Sequence, residues 1–167
     1  MSYGSSDWQK WVLNEEESLP LLLHAYQVGI NTWDTADMYS HGVSERIVGK
    51  AINKYHIPRK NLVILSKCFF GIVDQQAKDP EAPESACDSE LLNQKGLSRK
   101  HILEAVDNSV ARLGTYIDVL QIHRLDKEVS PEEIMRALND VIESGKVRYI
   151  GASSVRTLPS LSEGASG

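Results

Sequence analysis

Cysteine is scarce in this chain of 167 residues: only Cys68 and Cys87 occur, too few for a disulfide framework and in keeping with a reducing compartment. Long apolar runs are missing too. The stretch from Leu19 to Leu23 is broken by Pro20, and no run approaches the roughly 20 residues that a membrane span needs. The opening residues, Met1 to Lys10, are largely polar and lack the basic-then-apolar layout of a secretory signal. Together these absences predict a cytoplasmic protein with no membrane partner. Positive charge is also in short supply. Lysine and arginine total 18 against 23 acidic residues, for a net charge of −5, and no basic cluster appears, which argues against a nucleic-acid partner.

Several chemical signatures are missing as well. No G-x-G-x-x-G follows a strand and no Walker-type glycine loop occurs, so a separate Rossmann or P-loop nucleotide site is unsupported. No His-x-His or His-x-x-x-His pair occurs. Asp37, His41 and Glu45 therefore read as a solvated loop and a helix cap, and no metal site is expected. Cys68 reads as a buried structural thiol.

What is present is ordinary for a globular domain: 41% hydrophobic and 25% charged residues, at a length that suits one domain or a piece of a larger one. It is too short for a complete eight-unit barrel. Residues 15–28 place three acids ahead of Leu19, Leu22, Leu23 and Tyr26, with Gly29 as a stop, the pattern of an amphipathic helix. Ile30 to Asp34 reads as a short buried strand. A second helix is predicted from an N-cap at Ser44 through Tyr55, and residues 62–66 as a strand covered on both faces. Gly71 to Gly96 has no period and reads as a long exposed connection. Ser98 caps a helix to about Leu113, Tyr116 to His123 is a strand, Pro131 opens a helix ending at Gly145, and Val147 to Ala152 is a last strand. Alternation of helix and strand predicts an α/β fold with a parallel sheet.

Ligands of parallel α/β sheets bind at the carboxyl ends of the strands. The predicted strands end in Asp34 with Tyr39 five residues on, in Lys67, in His123, and in Ser153 and Ser154. Asp, Tyr, Lys and His at one rim have a definite use. A tyrosine, with a pKa of about 10, is a poor acid at neutral pH unless a cation lies beside it. Lys67 is that cation in this reading, favouring phenolate, while pairing with Asp34 keeps the lysine charged. His123 orients a carbonyl oxygen that gains negative charge. Trp33, Phe69 and Phe70 flank the rim and suit either an aromatic-substrate pocket or packing into the wall.

The stretch INTWDTADMYSHGVSERIVGKAI resembles the Asp-x-x-x-x-Tyr segment of the aldo-keto reductases. VILSKC, YIDVLQIHRLD and GKVRYIGASS resemble the strand ends that carry that family's lysine, histidine and nicotinamide-binding residues, in order. The aryl-alcohol dehydrogenase branch is the nearest in appearance, over about residues 1–157. The resemblance implies a partial (β/α)8 TIM barrel, with the elements here as strands two to five and helices one to four. It implies catalytic Asp34, Tyr39, Lys67 and His123, with Tyr39 the proton donor. Cofactor binding falls to Asp34, Ser153 and Ser154, and substrate binding to His123, Trp33 and Phe69. The implied cofactor is NADP(H), and the implied substrate is a small aldehyde or ketone, aromatic or polyketide-like, of secondary metabolism.

The chain departs from the family at both ends. It starts where the first barrel strand of the family finishes, and after Val155 it continues as RTLPSLSEGASG in place of a helix and three more strands. Residues 1–155 are therefore expected to form a truncated partial barrel, with 156–167 a disordered, unrelated tail. Much of the family's phosphate grip lies in the missing half, and open sheet edges favour self-association. A catalytically silent half-barrel, or a module that self-associates, is the competing expectation.

Overall fold

Each helix begins and ends where its local chemistry directs. The computed structural model describes residues 1–72 and 91–153. Helix α1 (Glu15–Gln27) opens on a capping box between Asn14 and Glu17, with three glutamates in its first turn, so orphan N–H groups and the positive helix end are both met. Strand β1 is Thr32–Asp34, followed by α2 (Val43–Lys54) and β2 (Val63–Cys68). Helix α3 (Arg99–Leu113) is capped by Ser98 Oγ, which accepts from the His101 N–H, and ends at Gly114. Then come β3 (Ile117–Ile122), α4 (Pro131–Glu143) with Ser130 as N-cap, and β4 (Val147–Ala152).

The four strands form one sheet in the order β1-β2-β3-β4, every neighbouring pair parallel. A helix lies in each connection between consecutive strands, and together with the all-parallel order this makes a partial (β/α)8 barrel. Register sorts the side chains. Asp34 pairs with Leu65, Leu65 with Val119 and Val119 with Tyr149, while Lys67 pairs with Gln121 and Gln121 with Gly151. Asp34, Lys67 and Gln121 thus share one face. The alternate residues Trp33, Ile64, Leu120 and Ile122 join the core with Ile47, Ile102, Val106, Ile134 and Leu138 of the helices.

Three expectations are corrected. The first strand starts at Thr32, two residues later than the sequence pattern suggests. Helix α2 is entered from Gly42 rather than Ser44: Ser40, His41 and Gly42 all take left-handed φ values, which turns the chain into the helix early. The Ser44 hydroxyl instead accepts from Thr35 Oγ1 at 2.9 Å. Strand β2 runs two residues further, because Lys67 and Cys68 still find partners in Gln121 and Ile122. Cys87, residues 73–90 of the long connection, Ser154 and the tail lie outside the described residues. Among the described residues, no helix is long and apolar enough to cross a membrane.

Candidate active site at the carboxyl ends of the strands

Asp34 closes β1, and the loop after it folds back over β2. Thr35 N–H donates to Leu65 O (2.9 Å) and Asp37 N–H to Lys67 O (3.1 Å), so the loop continues the ladder past the strand. This brings Lys67 Nζ to Asp34 Oδ2 at 2.6 Å and to Thr35 O at 2.9 Å. The Lys67 side chain is 7% exposed and that of Asp34 51%, so the ammonium is buried against a carboxylate that still faces water. Gln121 Nε2 donates to the other oxygen, Asp34 Oδ1, at 3.2 Å.

Tyr39 is buried, with Lys67 Nζ 5.1 Å from its ring centroid. His123 follows β3 and is tied to β2 by its N–H, which donates to Cys68 O at 3.0 Å. Its ring meets that of Tyr39 nearly edge-on, with centroids 5.8 Å apart at 82°. Burial, then Lys67 and Arg124, push the imidazole down to about 4, against a smaller opposing pull from Asp34. The ring is therefore neutral at physiological pH, and it has one donor and one acceptor nitrogen. Ser153 follows β4, its N–H donating to Ile122 O at 2.9 Å.

The four strand-end residues of the sequence reading thus converge, and Ser153 stands at the end of the adjoining strand. Trp33 lies apart from the other aromatic candidates, whereas the rings of Phe69 and Phe70 meet edge-on with centroids 5.1 Å apart at 77°. Trp33 packs in the core on the other face of β1, its indole N–H donating to Ile30 O at 3.0 Å, so the pocket reading of Trp33 is corrected by strand alternation. Phe69 also turns onto the core, and it is Phe70 whose ring reaches His123, at 5.2 Å and 80°. Asp37 and Glu45 are not solvated as expected: both are fully buried. Glu45 accepts from Ser66 Oγ (2.5 Å) and from Arg112 Nε (2.6 Å), a buried ion pair that fastens α2 to α3 behind the site. Cys68 is buried, and burial pushes its thiol up, which leaves it unreactive.

Gln121 and Trp8 were missed by the sequence reading. Gln121 had a signal, since it is a polar residue inside the apolar strand YIDVLQIH and lies on the face opposite Ile122. Trp8, whose ring centroid lies 6.3 Å from that of Tyr39, had none, because nothing local brings residue 8 to residue 39.

The chain is also similar to known proteins. The profile of the Aldo/keto reductase family matches residues 1–163. Versiconal hemiacetal acetate reductase of Aspergillus parasiticus is 69% identical over 156 residues, 93% of this chain and 46% of that protein. A Schizosaccharomyces pombe protein of the aryl-alcohol dehydrogenase type is 58% identical over 163 residues, again 93% of this chain and 46% of its own length. Among solved structures, an aldo-keto reductase from Bacillus halodurans in its holo form superposes with a TM-score of 0.66 at 28% identity, covering 83% of this chain and 41% of that one. The chain spans about half the length of the curated relatives it matches. With a family profile running across nearly all of its residues and a fold that superposes on solved members, the chain belongs to the aldo/keto reductase family.

Proposed function

We propose that this chain carries the proton-transfer machinery of an NADP-dependent oxidoreductase that interconverts an aldehyde or ketone with an alcohol. One observation carries the reading. The Lys67 ammonium, 2.6 Å from the Asp34 carboxylate, stands 5.1 Å from the centre of the Tyr39 ring, and His123 meets that ring from the side. In this reading the Tyr39 hydroxyl gives its proton to the carbonyl oxygen. The ammonium stabilises the negative charge left on the phenolic oxygen, and Asp34 and the Thr35 carbonyl hold the ammonium in position. Neutral His123 donates a hydrogen bond to the carbonyl oxygen and orients it.

NADP(H), when bound, supplies the hydride. Asp34, Gln121 and Ser153 suit its nicotinamide end, because they lie at or near the ends of three strands and the Asp34 carboxylate remains half-exposed beside its two partners. Ser154, next in the chain, completes the pair expected for the carboxamide. An aromatic or polyketide-like substrate of secondary metabolism is supported by the name of the Aspergillus parasiticus relative, a reductase of versiconal hemiacetal acetate. Phe70, edge-on to His123, supplies an aromatic wall. The cytoplasm is the proposed location.

A second reading, a silent or self-associating half-barrel, is favoured by one feature: Tyr149, on the sheet face that carries Asp34, is 70% exposed. Titrating NADPH into the purified 167-residue chain, alongside a carbonyl-reduction assay with an aromatic aldehyde, separates the two. The oxidoreductase reading expects fluorescence quenching and NADPH consumption, with Tyr39→Phe abolishing consumption while leaving the quenching in place. Turnover that persists undiminished in Tyr39→Phe overturns the assignment of Tyr39. Failure to bind NADPH gives the chain to the second reading.

A further inference from the structure

A separate arrangement beside Tyr39 plays no part in the proton transfer described above. Residues 2–14 form a loop closed at its neck. Gly4 N–H donates to Leu13 O (2.9 Å) and Leu13 N–H to Ser2 O (2.9 Å), while Ser6 N–H donates to Asn14 Oδ1 (3.0 Å). Within the loop, Trp8 N–H donates to Ser5 O (3.1 Å). The N–H of the same Ser5 reaches out of the loop and donates to Ser40 Oγ at 3.0 Å. Ser40 is the residue next to Tyr39. Two hydrogen bonds through Ser5 thus connect the backbone of Trp8 to the neighbour of the phenol, and the Trp8 ring lies 6.3 Å from the Tyr39 ring at a tilt of 37°.

Ser40 holds this place against its backbone preference. Its φ is +51° and that of His41 is +52°, in the left-handed region where a Cβ crowds the carbonyl oxygen and which glycine enters without that conflict. Non-glycine residues persist there when their surroundings over-determine them, and they cluster at functional sites. The Ser40 side chain is buried and fits a space left by a missing one. A Cβ on Gly4 would stand 2.0 Å from Ser40 Oγ and 2.6 Å from Ser40 Cβ. The bare backbone at residue 4 is the socket for the hydroxymethyl group at residue 40.

We propose that Ser40 is a positioning residue: it latches the 2–14 loop onto the segment carrying Tyr39 and so holds the Trp8 indole at one end of a row of rings that runs through Tyr39 and His123 to Phe70. The spacings along that row are 6.3, 5.8 and 5.2 Å. The reduction assay rests on the carbonyl-reductase reading, whereas the latch does not.

Three measurements on the full 167-residue chain test it. In the ¹⁵N-labelled protein, Ser40→Gly and Ser40→Ala should each lower the heteronuclear NOE of the Trp8 indole N–H. The Trp33 indole, bonded to Ile30 O in the core, should keep its value, as it would not in a protein that had simply loosened throughout. Gly4→Ala should lower Tm in the native background and do so far less in the Ser40→Gly background, where the clashing side chain is gone. In the reduction assay, Ser40→Gly should raise KM for an aromatic aldehyde about five-fold, the size of one lost neutral hydrogen bond, with a smaller change in kcat. An unchanged Trp8 indole in both Ser40 variants, or a Gly4→Ala penalty equal in both backgrounds, overturns the latch. A latch that passes the NOE and Tm tests in a chain without turnover refutes the carbonyl-reductase reading and leaves Ser40's structural assignment standing.

Discussion

Asp37 shows how much the surroundings of one residue decide about its chemistry. It is fully buried. Burial, reinforced by the Glu45 carboxylate on α2, pushes its pKa well above the usual carboxylate range, while Arg112 on α3, the Met38 backbone and Lys67 on β2 pull the other way. A raised folded-state pKa means that the native protein holds this proton where the unfolded chain has lost it. Its stabilising contribution is complete below the unfolded pKa and disappears as pH rises through the folded one. Asp37→Asn, which copies the neutral acid, is therefore expected to match the native protein in Tm near and below about pH 4 and to exceed it by a growing margin as pH rises above that. A Tm difference that does not change with pH would show that Asp37 is ionised throughout. His123 works in the opposite sense. With its imidazole held down to about 4 against an ordinary 6.5, its contribution is present above about pH 6.5 and is lost as pH falls toward 4. Urea denaturation between these pH values should show a stability slope that His123→Asn reduces.

At the scale of elements, the packing of α2 on α3 fixes the back wall of the site. The Glu45–Arg112 pair spans these two helices, with side chains 0% and 5% exposed, and buried pairs of this kind are strongly destabilising to break. The helices are in tight contact at Gly49, where a Cβ would stand 2.4 Å from the Leu113 carbonyl oxygen. In an exposed helix, glycine to alanine gains about 1 kcal/mol. Here the added methyl meets backbone, and Gly49→Ala is expected to cost about 1–3 kcal/mol, the usual penalty for overpacking. Chemical denaturation reads the sign directly, and a stabilised variant would mean that the helices separate without cost. The sheet obeys the same kind of rule. Alternation along β1 sends Trp33 to the core and Asp34 to the site, so the neighbours of a catalytic candidate in sequence are not its neighbours in the pocket.

At the scale of the whole molecule, the described residues form one parallel sheet with helices packed on one face. On the opposite face, Tyr149 is 70% and Val63 39% exposed, and β1 and β4 each have only one neighbour among the described strands. Exposed apolar surface beside unpaired strand edges promotes association. Sedimentation of the 167-residue chain is expected to show mass rising with concentration, and Tyr149→Lys should weaken that rise by placing a charge in the contact. A strictly monomeric native chain at high concentration would remove self-association from consideration. The net charge of −5 opposes association only modestly, and raising the salt concentration should therefore strengthen it slightly.

Much of this was legible along the chain because its causes are local. Ser98, Pro131 and Gly114 mark helix ends through hydrogen bonds and backbone preferences that act within a few residues, and apolar periodicity is set by each helix or strand alone. The meeting of the candidate residues was largely readable too, since parallel strands deliver their carboxyl ends to one rim, and Asp34, Lys67 and His123 stand at or next to those ends. Other features needed the folded chain, because they depend on contacts between distant residues. Asp37 and Glu45 read as polar and solvated until α2 and α3 close over them. Trp33 and Phe69 read as pocket residues until alternation and packing turn them to the core. Trp8 and Gly4 acquire meaning only when a loop some 35 residues away folds against them. Propensity, capping and periodicity are short-range and are written in order along the sequence, whereas burial, pKa and pocket shape are sums over neighbours that only folding assembles.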